Sequence, residues 1–69
     1  ARVFKATTGL TPYRFVMGER VAAAKELCAA TSLPVSQVAA EVGFSSHSHL
    51  VRVFRTLTGV TPKQYKAGL

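Results

Sequence analysis

The sequence predicts an all-α fold, and three observations support this prediction. Apolar residues recur at helical spacing in three stretches, no stretch alternates as a strand would, and glycine and proline lie where helices would end and begin. With 69 residues the chain has room for one domain at most. Its core is small, because a chain of this length buries only about 60% of its unfolded surface.

An internal repeat marks the first and last predicted helices. Residues 2–15 read RVFKATTGLTPYRF and residues 52–65 read RVFRTLTGVTPKQY, with seven of fourteen positions identical. In each copy a glycine, Gly9 or Gly59, lies where a helix would end, because glycine adopts the left-handed conformation readily. A threonine then serves as the next N-cap and a proline as the first helical residue. Each copy therefore predicts a helix, a sharp turn and a new helix.

Two helices are predicted between Gly9 and Gly43. The long one covers residues 12–30, is rich in alanine and has Gly18 as its only weak position. Its apolar residues are Val16, Met17, Val21, Ala24, Leu27 and Cys28. Pro34 separates it from a short helix over residues 35–42, because the residue before a proline avoids helical dihedrals. The short helix has one apolar face, made by Val35, Val38, Ala39 and Val42.

The next predicted helix, residues 46–57, follows Gly43 and the apolar Phe44, with Ser45 or Ser46 as its N-cap. Its core-facing residues are Leu50, Val53, Phe54 and Leu57. The opposite face, which carries no carboxylate, is led by Ser48, Arg52 and Arg55 and flanked by His47, His49 and Val51. A small residue four positions before the glycine, Ala39, lets the two helices approach closely. In a basic chain this arrangement is a helix-turn-helix, with residues 46–57 as its recognition helix.

The charge balance points to a polyanionic partner. Nine Lys and Arg residues face three carboxylates, Glu19, Glu26 and Glu41, which gives a formal net charge of +6 and a pI of about 10.3. Nucleic acid is the commonest polyanion, although charge alone does not separate it from an acidic lipid surface. No apolar run reaches the roughly 20 residues that a membrane span needs, and no signal peptide is recognisable.

The sequence argues against an enzyme, a metal protein and a disulfide-bonded fold. It offers no pair of base and nucleophile and no phosphate-binding loop, so neither catalytic residues nor a cofactor are expected. His47 and His49, two residues apart, point about 200° apart on a helix and cannot easily share an ion. The one cysteine, Cys28, lies on an apolar face and is expected to be a core residue. A reducing, cytoplasmic compartment is the expectation.

Residues 43–65, GFSSHSHLVRVFRTLTGVTPKQY, resemble the signature of the AraC/XylS family of bacterial transcription regulators. The resemblance covers essentially the whole chain. Leu50 stands where the family often has an aromatic residue, and Lys66 where it often has arginine. In that family the DNA-binding domain holds two homeodomain-like helix-turn-helix units joined by a long helix.

The resemblance implies a division of the chain into three parts. Residues 1–11 correspond to the end of the first unit's recognition helix, residues 12–31 to the connecting helix and residues 32–69 to the complete second unit. The two helices expected before Ala1 and the family's effector or dimerisation domain have no counterpart, so the chain is expected to be truncated. A helix over residues 12–30 spans roughly 28 Å, comparable with the roughly 34 Å between successive major grooves.

The predicted function is sequence-specific binding of double-stranded DNA as part of a transcription regulator. Arg52 is expected to contact a base or a phosphate, and Arg2 takes the equivalent place in the repeat. The candidate DNA-binding residues are His47, Ser48, His49, Val51, Arg52, Arg55, Ser46, Arg2 and Lys5. Phosphate contact or solubilising charge is expected of Arg55, Lys5, Lys63 and Lys66. The resemblance also implies contact with RNA polymerase, nucleoid association, and an effector that acts only through the absent domain.

Two other functions are weighed against DNA reading. A basic helical module that docks an acidic protein would explain the charge, but not the repeat or the polar face of the recognition helix. Binding of RNA or single strands predicts exposed, interleaved aromatic residues. Tyr13, Phe15 and Tyr65 instead follow Thr-Pro pairs near helix starts, where packing is expected.

Overall fold

Four α-helices make up the part of the chain that the structure describes, residues 11–68 of a computed structural model. They are α1, Pro12–Ala30; α2, Val35–Glu41; α3, His47–Thr58; and α4, Pro62–Lys66. No strand occurs between residues 11 and 68. The predicted all-α fold is therefore confirmed. The helix expected before Gly9 lies outside the described residues.

The long helix α1 begins at the predicted Thr-Pro pair. The hydroxyl oxygen of Thr11 accepts the N–H of Arg14 at 3.1 Å, and Pro12 is the first helical residue. At the other end, Thr31 donates both its N–H and its hydroxyl to the carbonyl oxygen of Leu27, at 3.0 and 2.6 Å. These bonds satisfy groups that the helix ends leave without partners, so both ends of α1 are set by local chemistry.

One stripe of α1 forms the floor of the core. Its buried residues, spaced by four, three and four positions, are Met17, Val21, Ala24 and Cys28. Packed over this stripe are Val38, Ala39, Phe44, Leu50 and Phe54, all of them buried. Because α1 contacts α2, α3 and α4, it sets the position of each of them.

Cys28 belongs to this core, as predicted, and is 6% exposed. Burial raises the pKa of the Cys28 thiol above its usual value, and the Lys66 ammonium offsets part of that rise. The thiol is therefore protonated near neutral pH and acts as a small apolar side chain.

The short helix α4 packs against both α1 and α3. The N–H of Gln64 donates to the hydroxyl of Thr61 at 3.1 Å, while the side-chain oxygen of Gln64 accepts the N–H of Thr61 at 2.9 Å. This capping box starts α4 without help from the core. The ring of Tyr65 then packs edge-on against Phe54, with centroids 5.7 Å apart. The packing role predicted for Tyr65 is confirmed.

Lys66 has a partner inside the molecule. Its ammonium donates to the carbonyl oxygen of Leu33 at 2.6 Å, across 33 positions of sequence. This charge-assisted bond ties the end of α4 to the connection between α1 and α2. Sequence reasoning, which considered phosphate contact or solubilising charge for Lys66, did not anticipate the bond.

Three large apolar side chains between residues 11 and 68 lie at the surface: Tyr13 is 60% exposed, Val16 40% and Leu57 39%. The prediction that Leu57 faces the core is wrong. Leu57 lies in the last turn of α3 beside the first half of α1, where the two helices leave a groove. The prediction that Tyr13 packs is also wrong, because this side chain stands at the rim of the same groove.

Two leucines of α3 allow a matched test of this division between core and surface. Leu50 is fully buried, so Leu50→Ala should lower the free energy of unfolding by about 2–5 kcal/mol. Leu57→Ala should lower it by less than about 1 kcal/mol. Urea unfolding followed by far-ultraviolet circular dichroism measures both. Equal losses would place Leu57 in the core after all.

Two glycines allow a second matched test, because a Cβ at either would meet no described atom within 4 Å apart from the neighbouring residues and the backbone of its own helix. Gly18 is inside α1 with a helical backbone, so Gly18→Ala should stabilise the fold by about 0.5–1 kcal/mol. Gly59 ends α3 with φ of +86°, so Gly59→Ala should destabilise it by about 1 kcal/mol. Thermal unfolding decides the two signs, and shifts in the same direction would refute this account.

Candidate nucleic-acid interface

The connection between α2 and α3 is a glycine turn of the Schellman type. Gly43 has φ of +93°, a left-handed conformation that glycine adopts at little cost. Its N–H donates to the carbonyl oxygen of Ala40 at 3.3 Å, and the N–H of Phe44 donates to that of Ala39 at 2.9 Å. These bonds satisfy the last carbonyls of α2 and fix the direction in which the chain leaves it. The helix end predicted at Gly43 is confirmed.

Buried contacts hold α2 against α3 behind this turn. Ala39 is 2% exposed and Phe44 is 6% exposed. Both pack in the cluster that contains Leu50 and Phe54 of α3. The small side chain of Ala39 allows the close approach that its position predicts. The inner side of α3 is thus fixed by packing, and its outer side faces solvent.

The first turn of α3 is organised by two serines and a histidine. Ser46 is the N-cap, because its hydroxyl oxygen accepts the N–H of His49 at 3.0 Å. The ring of His49 stands edge-on to Phe44 with centroids 5.1 Å apart, and its Nδ1 lies 3.4 Å from the Ser45 hydroxyl. These contacts leave His49 half-buried and hold its ring at the turn.

The outer face of α3 is polar and basic. At about 100° per residue, Arg52 points opposite the midpoint of Leu50 and Phe54, with Ser48 and Thr56 about 40° to either side. All three outer residues are exposed, and so is Arg55. The hydroxyl of Thr56 donates to the carbonyl oxygen of Arg52 at 2.8 Å. No acidic residue occurs anywhere on α3.

This face offers the hydrogen-bonding groups that base edges require. The guanidinium of Arg52 makes no hydrogen bond or ion pair with any residue between 11 and 68, and neither does that of Arg55. An arginine fork can pair with O6 and N7 of guanine, and a serine or threonine hydroxyl can pair with several base edges. The geometry therefore suits a groove lined with base edges and phosphates.

His47 and Val51 lie on the side of α3 that faces the starts of α2 and α4. His47 is exposed and Val51 is half-buried. Both line a shallow groove together with Val35 and Pro62. The side chain of Val51 therefore has apolar neighbours within the molecule.

The structure brings together seven of the nine predicted DNA-binding residues on or at the start of α3, which are Ser46, His47, Ser48, His49, Val51, Arg52 and Arg55. It gives them different surroundings, since only His49 and Val51 are half-buried. Sequence reasoning missed Thr56, although its position four residues after Arg52 places it on the same face. Arg2 and Lys5 lie outside the described residues.

Within residues 11–68, no three His, Cys, Asp or Glu side chains lie close enough together to hold a metal ion. None of the described helices is long and apolar enough to cross a membrane.

Comparison with known protein sequences finds similarity to transcription regulators. The family model described as "Helix-turn-helix domain" matches residues 1–68. The probable transcriptional regulator LumQ of Photobacterium leiognathi is 42% identical over 64 residues, which are 93% of this chain and 26% of that protein. The arabinose operon regulatory protein of Escherichia coli (strain K12) is 29% identical over 68 residues, which are 99% of this chain and 23% of that protein. The chain thus spans about a quarter of the length of these curated relatives.

Solved structures agree with the sequence comparison. The DNA-binding domain of AdpA, in complex with a target DNA, superposes with a TM-score of 0.90 at 33% identity, over 96% of this chain and 60% of that one. A transcriptional regulator with an AraC-type DNA-binding domain from Chromobacterium violaceum superposes with a TM-score of 0.92 at 30% identity, over 96% and 59%. The match of the family model and these relatives establish that the chain belongs to the AraC-type helix-turn-helix family, as the signature in residues 43–65 predicts.

Proposed function

We propose that this chain reads the sequence of double-stranded DNA, with α3 lying in the major groove, as part of a transcription regulator. The observation that carries the proposal is the partition of α3. Leu50 and Phe54 are fully buried, while Ser48, Arg52 and Thr56 form an exposed face without any carboxylate. A helix held rigidly from behind can place the same side chains against base edges at every encounter.

The residues of this interface contact either bases or phosphates, according to where they lie on it. Arg52 pairs with a guanine, Ser48 and Thr56 contact neighbouring base edges, and His47 reaches a base from the first turn. Arg55 and Lys63 are exposed cations at the margin and contact phosphates. The backbone N–H groups that follow Ser46 add a phosphate contact at the helix start.

His49 and Val51 have a different part in this proposal. The His49 ring rests on Phe44 and Ser45, so it orients the first turn of α3 and contacts DNA only with its outer edge. Val51 meets its apolar neighbours in the groove beside α2 and offers methyl groups to a thymine methyl. Arg2 and Lys5 act in the same way as Arg52 and Arg55 in the first unit, as the repeat implies.

Similarity supports this docking. The AdpA domain was solved with its target DNA, and the chain matches 60% of that domain with a TM-score of 0.90. α1 then acts as the connecting helix between two DNA-binding units, with residues 1–11 belonging to the first and residues 32–69 forming the second. In the whole regulator we further propose an effector domain, contact with RNA polymerase and a cytoplasmic, nucleoid-associated location.

Exchange of the two arginines on α3 tests the reading role directly. Arg52→Lys keeps the positive charge but loses the planar fork, so it should relax preference at one base pair and weaken the best site by about 1–3 kcal/mol. Arg55→Lys should leave the preference unchanged. Fluorescence anisotropy against a selected duplex and its single-base variants measures both effects. If Arg52→Lys weakened every sequence equally, Arg52 would be a phosphate contact.

Salt dependence tests the phosphate contacts separately. Affinity should fall steeply as salt rises, because each phosphate contact releases a counterion. Arg55→Gln should reduce the slope of log K against log salt by about 0.9, whereas Glu26→Gln, on an exposed part of α1, should leave it unchanged. Absence of any DNA binding at low salt would favour the alternative function, docking of an acidic protein.

A further inference from the structure

A groove lies between the first half of α1 and the last turns of α3, beside the proposed DNA-reading face. Its volume is about 430 Å³. Its floor is apolar and is made by Met17, Val53 and Leu57. The rest of its lining consists of Tyr13, Arg14, Arg52 and Thr56. This size falls in the range of about 300–1,000 Å³ that small-molecule sites occupy.

The composition of the groove defines the chemistry of its ligand. Exposed apolar surface at Tyr13 and Leu57 favours a ligand with an apolar body, since covering it removes that surface from water. Among the described residues, no acidic residue lines the groove, and neither arginine side chain has a hydrogen-bond or ion-pair partner. The two arginine side chains therefore favour a carboxylate, which an arginine fork binds in bidentate geometry.

We propose that this groove binds an amphipathic carboxylate, with its aromatic or alkyl body on Leu57 and Val53 and its carboxylate on Arg14 and Arg52. The inference rests on the proposed function, because Arg52 is shared with the DNA-reading face. A carboxylate paired with Arg52 occupies the donors that a guanine would use. Ligand and DNA are then mutually exclusive, so binding of either one lowers the apparent affinity for the other.

A DNA phosphate is the competing occupant, and the lining favours the carboxylate ligand. A phosphodiester needs only the two guanidinium groups. It would leave the floor and the exposed ring of Tyr13 uncovered. An amphipathic anion would contact both the apolar floor and the two arginines of the groove.

The test uses 4-phenylbutyrate as the probe, with uncharged 4-phenylbutanol as its matched control. Binding to the 69-residue chain is first measured without DNA, by amide chemical shifts in nuclear magnetic resonance. A Kd on the order of 1 mM is expected for a ligand of this size. The shifts should cluster at Tyr13, Arg14, Val53 and Leu57, and 4-phenylbutanol should bind about tenfold more weakly.

Two pairs of variants locate the site. Leu57→Glu places a negative charge in the groove and should weaken 4-phenylbutyrate binding about tenfold or more, whereas Val16→Glu, at an equally exposed apolar position of α1, should not. Arg14→Gln should weaken it several-fold, whereas Arg55→Gln should leave it unchanged. Circular dichroism confirms that each variant is folded.

Competition completes the test. Saturating 4-phenylbutyrate should raise the apparent Kd for duplex DNA at least tenfold in the native chain and not in Leu57→Glu. Equal binding of the alcohol, or shifts that ignore Leu57→Glu, would overturn the proposal. One further result would overturn it: the chain binds DNA but not 4-phenylbutyrate, and Arg14→Gln lowers the slope of log K for DNA against log salt by about 0.9. The groove would then hold a DNA phosphate. Since the direct binding is read without DNA, failure of DNA reading is a separate result.

Discussion

The buried stripe on α1 is the contact on which the other helices depend. Met17, Val21, Ala24 and Cys28 are all nearly inaccessible to solvent, and α2, α3 and α4 each pack against α1. None of the shorter helices has enough residues to be stable in water without such packing. The long helix therefore does two things at once. It supplies the apolar floor, and it fixes where the outer face of α3 points.

The glycine turn at Gly43 fixes the orientation of α3 relative to α2. Gly43 turns the chain in the left-handed conformation, and the next residue, Phe44, is buried in the core. The same phenylalanine supports the ring of His49, so the core and the first turn of α3 are linked through one side chain. A side chain on the outer face thus starts from a fixed backbone position, which is the requirement for reading base edges.

Charge and apolar surface meet at Arg52. On one side it stands between Ser48 and Thr56 on a face free of carboxylates, and on the other it borders a groove with an apolar floor. Arg52 therefore serves the proposed reading of DNA, and it is also the arginine whose hydrogen-bond donors a bound anion would occupy. Lys66 differs from Arg52, because its ammonium is already bonded within the molecule, to the carbonyl oxygen of Leu33.

The helices and the turns between them could be predicted from the sequence. Thr11 and Thr61 as N-caps, and Gly43 and Gly59 as helix ends, were readable because these effects act within four residues along the chain. The sequence leaves open the choice between Ser45 and Ser46, and the structure shows Ser46 as the N-cap. The family signature in residues 43–65 was equally readable, since it consists of such local signals and core positions. Which parts of each helix are covered depends on the packing of the helices against one another. Periodicity assigned Leu57 to the core, because it gives a residue's direction but not where a neighbouring helix ends. The groove beside Arg52 and the bond from Lys66 to Leu33 likewise join residues distant in sequence, whose proximity depends on how α1 packs against the other helices.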